Sequence, residues 1–382
     1  MKRWHRLLQT VVLLVGAILS HASVAALFAG EQIETDAGFP TLTKFIPGDP
    51  GRPLVVFVPG AHHNARIAYG GHTGSHDDDF VAYWLVREGY NFLGVSYPLT
   101  THNPVITDTY PNYDARDWGK QVAAAARRAI DEHHLTRKII VIGWSMGGRS
   151  AEPIAEAAKE QGLDLEFFTS FSATPGIMGL VDMNANFPMT ASGYADRSNI
   201  YPMFMKQIAL ENAMNGHTII DTTSYLNDYV GDMPVNLEGY GLHYRDGRFV
   251  RDNWADEEEF RVYAYDKLPY IAALMPNEPL DARHALTDQA NWGFVMTNKI
   301  QATIEASKVD LSAMPRARWL ALIDLVRSAP QRLSIEMNGD HFFFIGAAGA
   351  HETARAIQTL DDRVAGFKSQ LQELVPLKAT PN

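Results

Sequence analysis

The sequence predicts an α/β protein with a mainly parallel, doubly wound sheet and a long insertion over it. Three observations carry this reading. Continuous apolar runs, Leu54-Val55-Val56-Phe57-Val58 and Ile139-Ile140-Val141-Ile142, match strands buried on both faces. They alternate with longer segments of helical composition, as in a parallel sheet covered by helices. The alternation breaks near Gly176 and resumes only near residue 297.

Taken in order, strands are expected at 32–35 and 41–46. The turn-rich Pro47-Gly48-Asp49-Pro50-Gly51 then leads into the run at 54–58, which Pro59-Gly60 closes. A helix is expected over 79–88, with Phe80, Tyr83, Trp84 and Val86 as its apolar positions. A strand over 91–97, an alanine-rich helix over 115–134, a strand over 138–143, a helix over 145–161 and a strand over 165–171 follow. The stretch 177–296 is rich in Met, Tyr, Asn and Asp and has no such rhythm; Asp246-Gly247 marks a hairpin turn within it. A strand over 299–307, a helix over 315–328, a strand over 332–337 and a last helix over 351–374 complete the pattern. The expected organisation is a signal peptide at 1–26, a first core part at 27–176, a cap insertion at 177–296 and a second core part at 297–382.

The first residues have the plan of a secretory signal. Lys2, Arg3 and Arg6 precede an apolar stretch over 7–19, and Val24-Ala25-Ala26 offers a cleavage site after Ala26. The stretch falls short of the roughly 20 residues that a spanning helix needs. An exported protein without stable membrane association after cleavage is therefore expected, periplasmic or secreted. The chain has no cysteine, which excludes disulfides, a thiolate nucleophile and thiolate metal sites. Its net charge of −11 argues against nucleic acid and anionic membrane as partners. It also weighs weakly against a strongly anionic substrate, since a local field can oppose the net charge.

Gly143-Trp144-Ser145-Met146-Gly147 follows a buried strand directly and opens a helical segment. A serine in that context sits on a sharp strand-to-helix turn, its hydroxyl pushed out of the sheet toward backbone N–H groups. The flanking glycines suit close backbone approach. A serine nucleophile needs a base, and His341 in Asn338-Gly339-Asp340-His341-Phe342-Phe343 follows a late strand, at the same sheet edge as Ser145.

With these residues the chain resembles the α/β-hydrolase superfamily over most of its length outside the insertion. The resemblance implies a serine hydrolase, carboxylesterase-like, acting on a small acyl substrate without a cofactor. It also implies the order nucleophile, acid, histidine. Asp310, just after the strand expected at 299–307, fits as the acid, although Ser307 stands where the family usually has glycine. Glu278 and Asp281 are the alternatives if the apolar run at 268–275 is the relevant strand. The oxyanion donors implied are the N–H groups of Met146 and of Ala61, the latter in Pro59-Gly60-Ala61-His62, where proline replaces the family's first histidine.

Two other readings stay open. One is a hydrolase-like binding protein without turnover, against which the intact serine and histidine weigh. The other is a metal-dependent enzyme centred on His62, His63, His72, His76 and Asp77-Asp78-Asp79, whose bland alternative is a polar loop before a helix. In the insertion, Met178, Met183, Met189, Met203, Met205 and Met214, with Tyr194, Tyr201 and Phe204, suit either an adaptable apolar pocket or the insertion's own core. Oligomeric state and substrate identity are not legible.

Overall fold

Leu54–Val58 is wholly buried, as a strand covered on both faces must be, and it lies in the middle of an eight-stranded sheet. A computed structural model describes residues 25–376. The expected signal segment therefore falls almost entirely outside the described residues. Among the described residues no helix is long and apolar enough to cross a membrane.

The strands of this sheet are β1 (Glu31–Asp36), β2 (Phe39–Ile46), β3 (Leu54–Val58), β4 (Asn91–Ser96), β5 (Lys138–Trp144), β6 (Asp164–Phe171), β7 (Ile271–Pro276) and β8 (Ser334–Met337). Their spatial order is β1-β2-β4-β3-β5-β6-β7-β8. Pairings of β1 with β2 and of β2 with β4 are antiparallel; all the others are parallel. The expectation of a mainly parallel, doubly wound sheet holds. From β3 the chain winds one way to β4, then returns past β3 to β5 and winds the other way. Right-handed crossovers then place helices on both faces, and a crevice opens beyond the carboxyl ends of β3 and β5, where the direction reverses.

Among the flanking helices, α1 (Val81–Arg87) packs against the last long helix, Ala347–Leu374, while α2 (Ala115–His133) packs against α3 (Ala151–Glu160). Ala-rich α2 buries Ala123, Ala125, Ala126 and Ala129, small residues that let helix and sheet approach closely. Asp114 caps it by accepting from the Arg116 and Asp117 N–H groups.

Two expectations are corrected. The segment read as a strand at 299–307 is the end of a 26-residue helix, α4 (Ala282–Ser307). Its buried residues Trp292, Val295, Met296, Ile300 and Ile304 follow a 3.6-residue period. Residues 300–304 alone show alternation because positions four apart on a helix are also an even number apart on a strand. The second correction follows from the first. Ile271–Pro276, expected inside the insertion, is β7 of the central sheet, between β6 and β8. The irregular segment thus ends near residue 270 rather than 296. It contains the helix Tyr201–Asn215 and the expected hairpin, Leu242–Arg245 with Arg248–Arg251. Asp246 and Gly247 both have positive φ, at 50° and 78°, as a two-residue hairpin turn requires.

Candidate active site

The site is built at the carboxyl end of β5. Ser145 has φ of 54°, in the left-handed region that a residue with a Cβ seldom occupies. Such a turn is tolerated because its neighbours lack side chains. A Cβ on Gly143 would lie 2.2 Å from Phe168 Cζ, and one on Gly147 would lie 2.9 Å from the Val58 carbonyl oxygen. The chain continues directly as the short 3₁₀ helix Ser145–Ser150.

The loop after β3 presses on this turn. A Cβ on Gly60 would stand 2.7 Å from Ser145 Cβ and 3.3 Å from its Oγ. The Gly60 carbonyl accepts a hydrogen bond from the Tyr97 hydroxyl at 2.8 Å. A trans peptide directs its C=O and N–H to opposite sides. Tyr97 therefore fixes the direction of the Ala61 N–H, the donor expected beside Met146, and Ala61, Ser145 and Met146 line one cavity of about 410 Å³.

His341 lines the same cavity, and its Nδ1 lies 2.9 Å from Asp281 Oδ2, both side chains buried. Burial alone would raise the Asp281 carboxyl; His341 and, less strongly, His284 hold it below the usual carboxylate range. The His341 carbonyl accepts from Trp144 Nε1 at 2.9 Å, so the residue before the serine ties the two loops together.

Asp310, expected as the acid, lies elsewhere. It is fully exposed and caps the turn at Leu311–Ala313, accepting from the Ser312 N–H at 3.0 Å. Helix α4, not a strand, precedes it, so nothing carries it to the sheet edge. Asp281, the weighed alternative, follows β7 by five residues and opens α4. Glu278 does not pair with His341; its carbonyl accepts from the Asp281 N–H.

The histidine-rich loop does not converge as a metal site. His62 lies between the Gly231 carbonyl and Glu238 Oε1, at 2.8 and 2.7 Å. His63 meets the Tyr225 hydroxyl and His72 the Tyr229 hydroxyl, at 2.8 and 2.6 Å. His76 stacks on His217, which pairs with Asp79. Burial drives the His63 pKa down to about 3, as expected for an imidazole packed among Trp144, Phe204 and Phe342. Among the described residues the one group of metal-capable side chains is Asp281, His284 and His341. Two of its ring nitrogens are already committed, His341 Nδ1 to Asp281 and His284 Nδ1 to Asp288 at 2.9 Å. The His284–Asp288 pair was not singled out in the sequence; its i, i+4 spacing on a helix was the available signal.

The cavity wall from the insertion mixes polar and apolar side chains rather than being methionine-rich. Met203 and Phe204 line it, but so do Arg197, Gln207, Glu238 and Tyr240. Met178, Met189 and Met214 are exposed, while Tyr194 is buried and accepts from the Tyr110 N–H at 2.8 Å.

Next to His341, two acids share a buried space. Glu211 Oε1 accepts from the Asp340 N–H at 3.0 Å, and Asp340 Oδ1 accepts from the Phe342 N–H at 2.9 Å. Burial pushes both carboxyls well above the usual carboxylate range, and Glu211, beside Asp340, raises it further.

No family model and no curated protein matches this chain. Among solved structures it is similar to an esterase from Rhodococcus sp., at 12% identity and a TM-score of 0.44, covering 87% of this chain and 98% of that one. It is similar to the thioesterase domain from a curacin biosynthetic pathway at 13% identity and a TM-score of 0.41, covering 86% and 98%. A hormone-sensitive lipase from a metagenome library matches at 13% identity and a TM-score of 0.39, covering 90% and 87%. The strand order and the strand–serine–helix turn are those of the α/β-hydrolase fold.

Three outcomes follow from this geometry. Asp281→Asn is expected to lower kcat of any turnover that proceeds through Ser145 and His341 by roughly 10⁴-fold, and Asp310→Asn by less than about twofold; steady-state kinetics of both folded variants at one pH decides between them. Tyr97→Phe removes the shorter of two hydrogen bonds to the Gly60 carbonyl, leaving the one from the His63 N–H at 3.3 Å, and is expected to lower kcat up to about tenfold with little change in KM, the size of one neutral hydrogen bond. For the acid pair, both carboxyls are raised in the folded state, so the native protein binds more protons than the unfolded chain above about pH 4, and stability falls as pH rises past that value. Glu211→Gln removes part of that loss. Thermal melts from pH 5 to pH 9 should show the variant gaining on the parent by a few degrees toward the alkaline end; a difference independent of pH would dismiss the titration.

Proposed function

We propose that this chain is an exported serine hydrolase that cleaves a carboxylic ester through an acyl-enzyme. The observation that carries the reading is the strained turn at Ser145, held in one cavity with an imidazole whose Nδ1 faces a buried carboxylate. Strain of this kind is kept where the surrounding structure enforces it for a task.

In this mechanism His341 Nε2 takes the proton of the Ser145 hydroxyl as Oγ bonds to the ester carbon. The carbonyl oxygen becomes an oxyanion and accepts from the N–H groups of Met146 and Ala61, each such donor typically contributing about 3 kcal/mol. The tetrahedral adduct collapses, the C–O bond to the alcohol breaks, and the imidazolium protonates the departing alkoxide. Water then attacks the acyl carbon, giving its proton to His341. Collapse of the second adduct releases the carboxylic acid and returns the proton to Ser145. Asp281 keeps the tautomer and stabilises the imidazolium throughout. The basic and apolar start of the sequence, outside the described residues, supports export.

The test is labelling with a fluorophosphonate probe alongside pH-stat hydrolysis of simple esters. Ser145→Ala should abolish labelling and lower turnover by about 10⁴- to 10⁶-fold. Activity within tenfold of the parent would remove Ser145 as nucleophile. Turnover should also persist after extensive dialysis against a chelator. Loss that Zn²⁺ restores would instead assign Asp281, His284 and His341 to a metal.

A further inference from the structure

Arg149 lies on the 3₁₀ helix that Ser145 opens and lines the same cavity. Its side chain is only 7% exposed. A guanidinium has five N–H donors, and burying it without a counter-charge is costly. Of these donors one makes a contact, a long one of 3.4 Å from Nη1 to the Leu237 carbonyl. Among the described residues no carboxylate oxygen comes within 4.0 Å of it. Two other arginines, buried Arg66 and half-buried Arg197, are treated differently. Arg66 holds Glu31 with two nitrogens, at 2.8 and 2.7 Å, and Arg197 holds Glu238 at 2.7 Å.

The seat of Arg149 is shaped for it. A Cβ on Gly239 would stand 2.9 Å from Cζ, Nε and Nη1 of Arg149, so glycine there leaves the space the guanidinium fills. Tyr240 and Phe260 flank it, their ring centroids 5.6 and 6.0 Å away. Burial lowers its pKa, Tyr240, Glu238 and Asp256 offset this in part, and Arg283 adds to the lowering.

Arg283 also lines the cavity and donates to Thr174 Oγ1 and the Leu180 carbonyl, without a carboxylate partner among the described residues. The acids in the wall are committed. Glu238 lies between His62 and Arg197, and Asp281 faces His341. The cavity of a chain with net charge −11 therefore presents two cations without a carboxylate ion-pair partner among the described residues, Arg149 buried and Arg283 exposed.

We propose that Arg149, with Arg283 at its side, is an anion subsite, and that the substrate is an ester carrying a free carboxylate. The proposal rests on the hydrolase reading above and specifies what that site accepts. A carboxylate matches the planar fork of an arginine and supplies the missing counter-charge. Four residues of 3₁₀ helix at about 2 Å each set the Cα of Arg149 roughly 8 Å from that of Ser145. The carboxylate thus lies several bonds from the scissile carbonyl, on the acyl or the alcohol side. Hydrolysis adds water across the ester C–O bond, and the distant carboxylate is unchanged.

The experiment compares monoethyl esters of succinate, glutarate, adipate and pimelate with neutral ethyl esters that carry an isopropyl group in place of the carboxylate. We expect kcat/KM to favour at least one hemiester over its neutral partner by on the order of 10- to 100-fold. Arg149→Met should erase that preference, and Arg149→Lys should keep part of it. Equal kcat/KM within every pair, or a preference that survives Arg149→Met, overturns the subsite while leaving the hydrolase intact. If no ester is cleaved and Ser145 resists the fluorophosphonate, the hydrolase reading fails, and the subsite is judged by binding alone. Glutarate should then raise the Tm of the parent protein but not of Arg149→Met; no rise in the parent overturns the subsite too.

Discussion

The turn at Ser145 is the constraint on which the rest of the site depends. Its left-handed backbone fits only because Gly143 lets Phe168 approach, Gly147 lies against the Val58 carbonyl and Gly60 lies against the serine itself. These contacts join β3, β5 and β6, adjacent strands on both sides of the position where the sheet reverses direction. The strain at one residue is thus borne by the most buried part of the molecule. The crevice that the reversal opens receives the hydroxyl, two candidate oxyanion donors and the histidine loop.

The histidine is placed by contacts from three directions. Trp144 Nε1 donates to its carbonyl, Asp281 receives its ring, and Phe204 from the irregular segment stacks on it with centroids 6.1 Å apart. The segment between β6 and β7 is therefore part of the site rather than a cover on a finished one. It brings Phe204, Arg197 and Glu238 to the cavity and Glu211 beneath the histidine loop. Asp340 adjoins His341 in sequence, and Glu211 Oε1 accepts from the Asp340 N–H, so the irregular segment also holds the backbone of the histidine loop.

Overall charge and local charge point in opposite directions here. The surface is acidic, yet the cavity pairs its two acids and leaves Arg149 and Arg283 without carboxylate partners. In a crevice walled by protein such a field is screened less than on an open surface, so it weighs more in recognition than the net charge of the chain.

The sequence by itself determined most of the sheet and the places of Ser145 and His341 at its edge. Each is announced locally: Leu54–Val58 and Lys138–Trp144 by apolar runs, Ser145 by the glycines around it, His341 by the strand before it. Only the tertiary structure decided which carboxylate faces His341, where the insertion ends and which side chains line the cavity. Residues 300–304 alternate as a strand does while belonging to a helix whose period shows only over Trp292 to Ile304. That misread helix moved the expected strand, and with it the expected acid, from Asp281 to Asp310. The cavity was illegible for a similar reason. Arg149, Gly239 and Arg283 are far apart along the chain, and a positive charge without a partner can be recognised only once every possible partner has been placed in space.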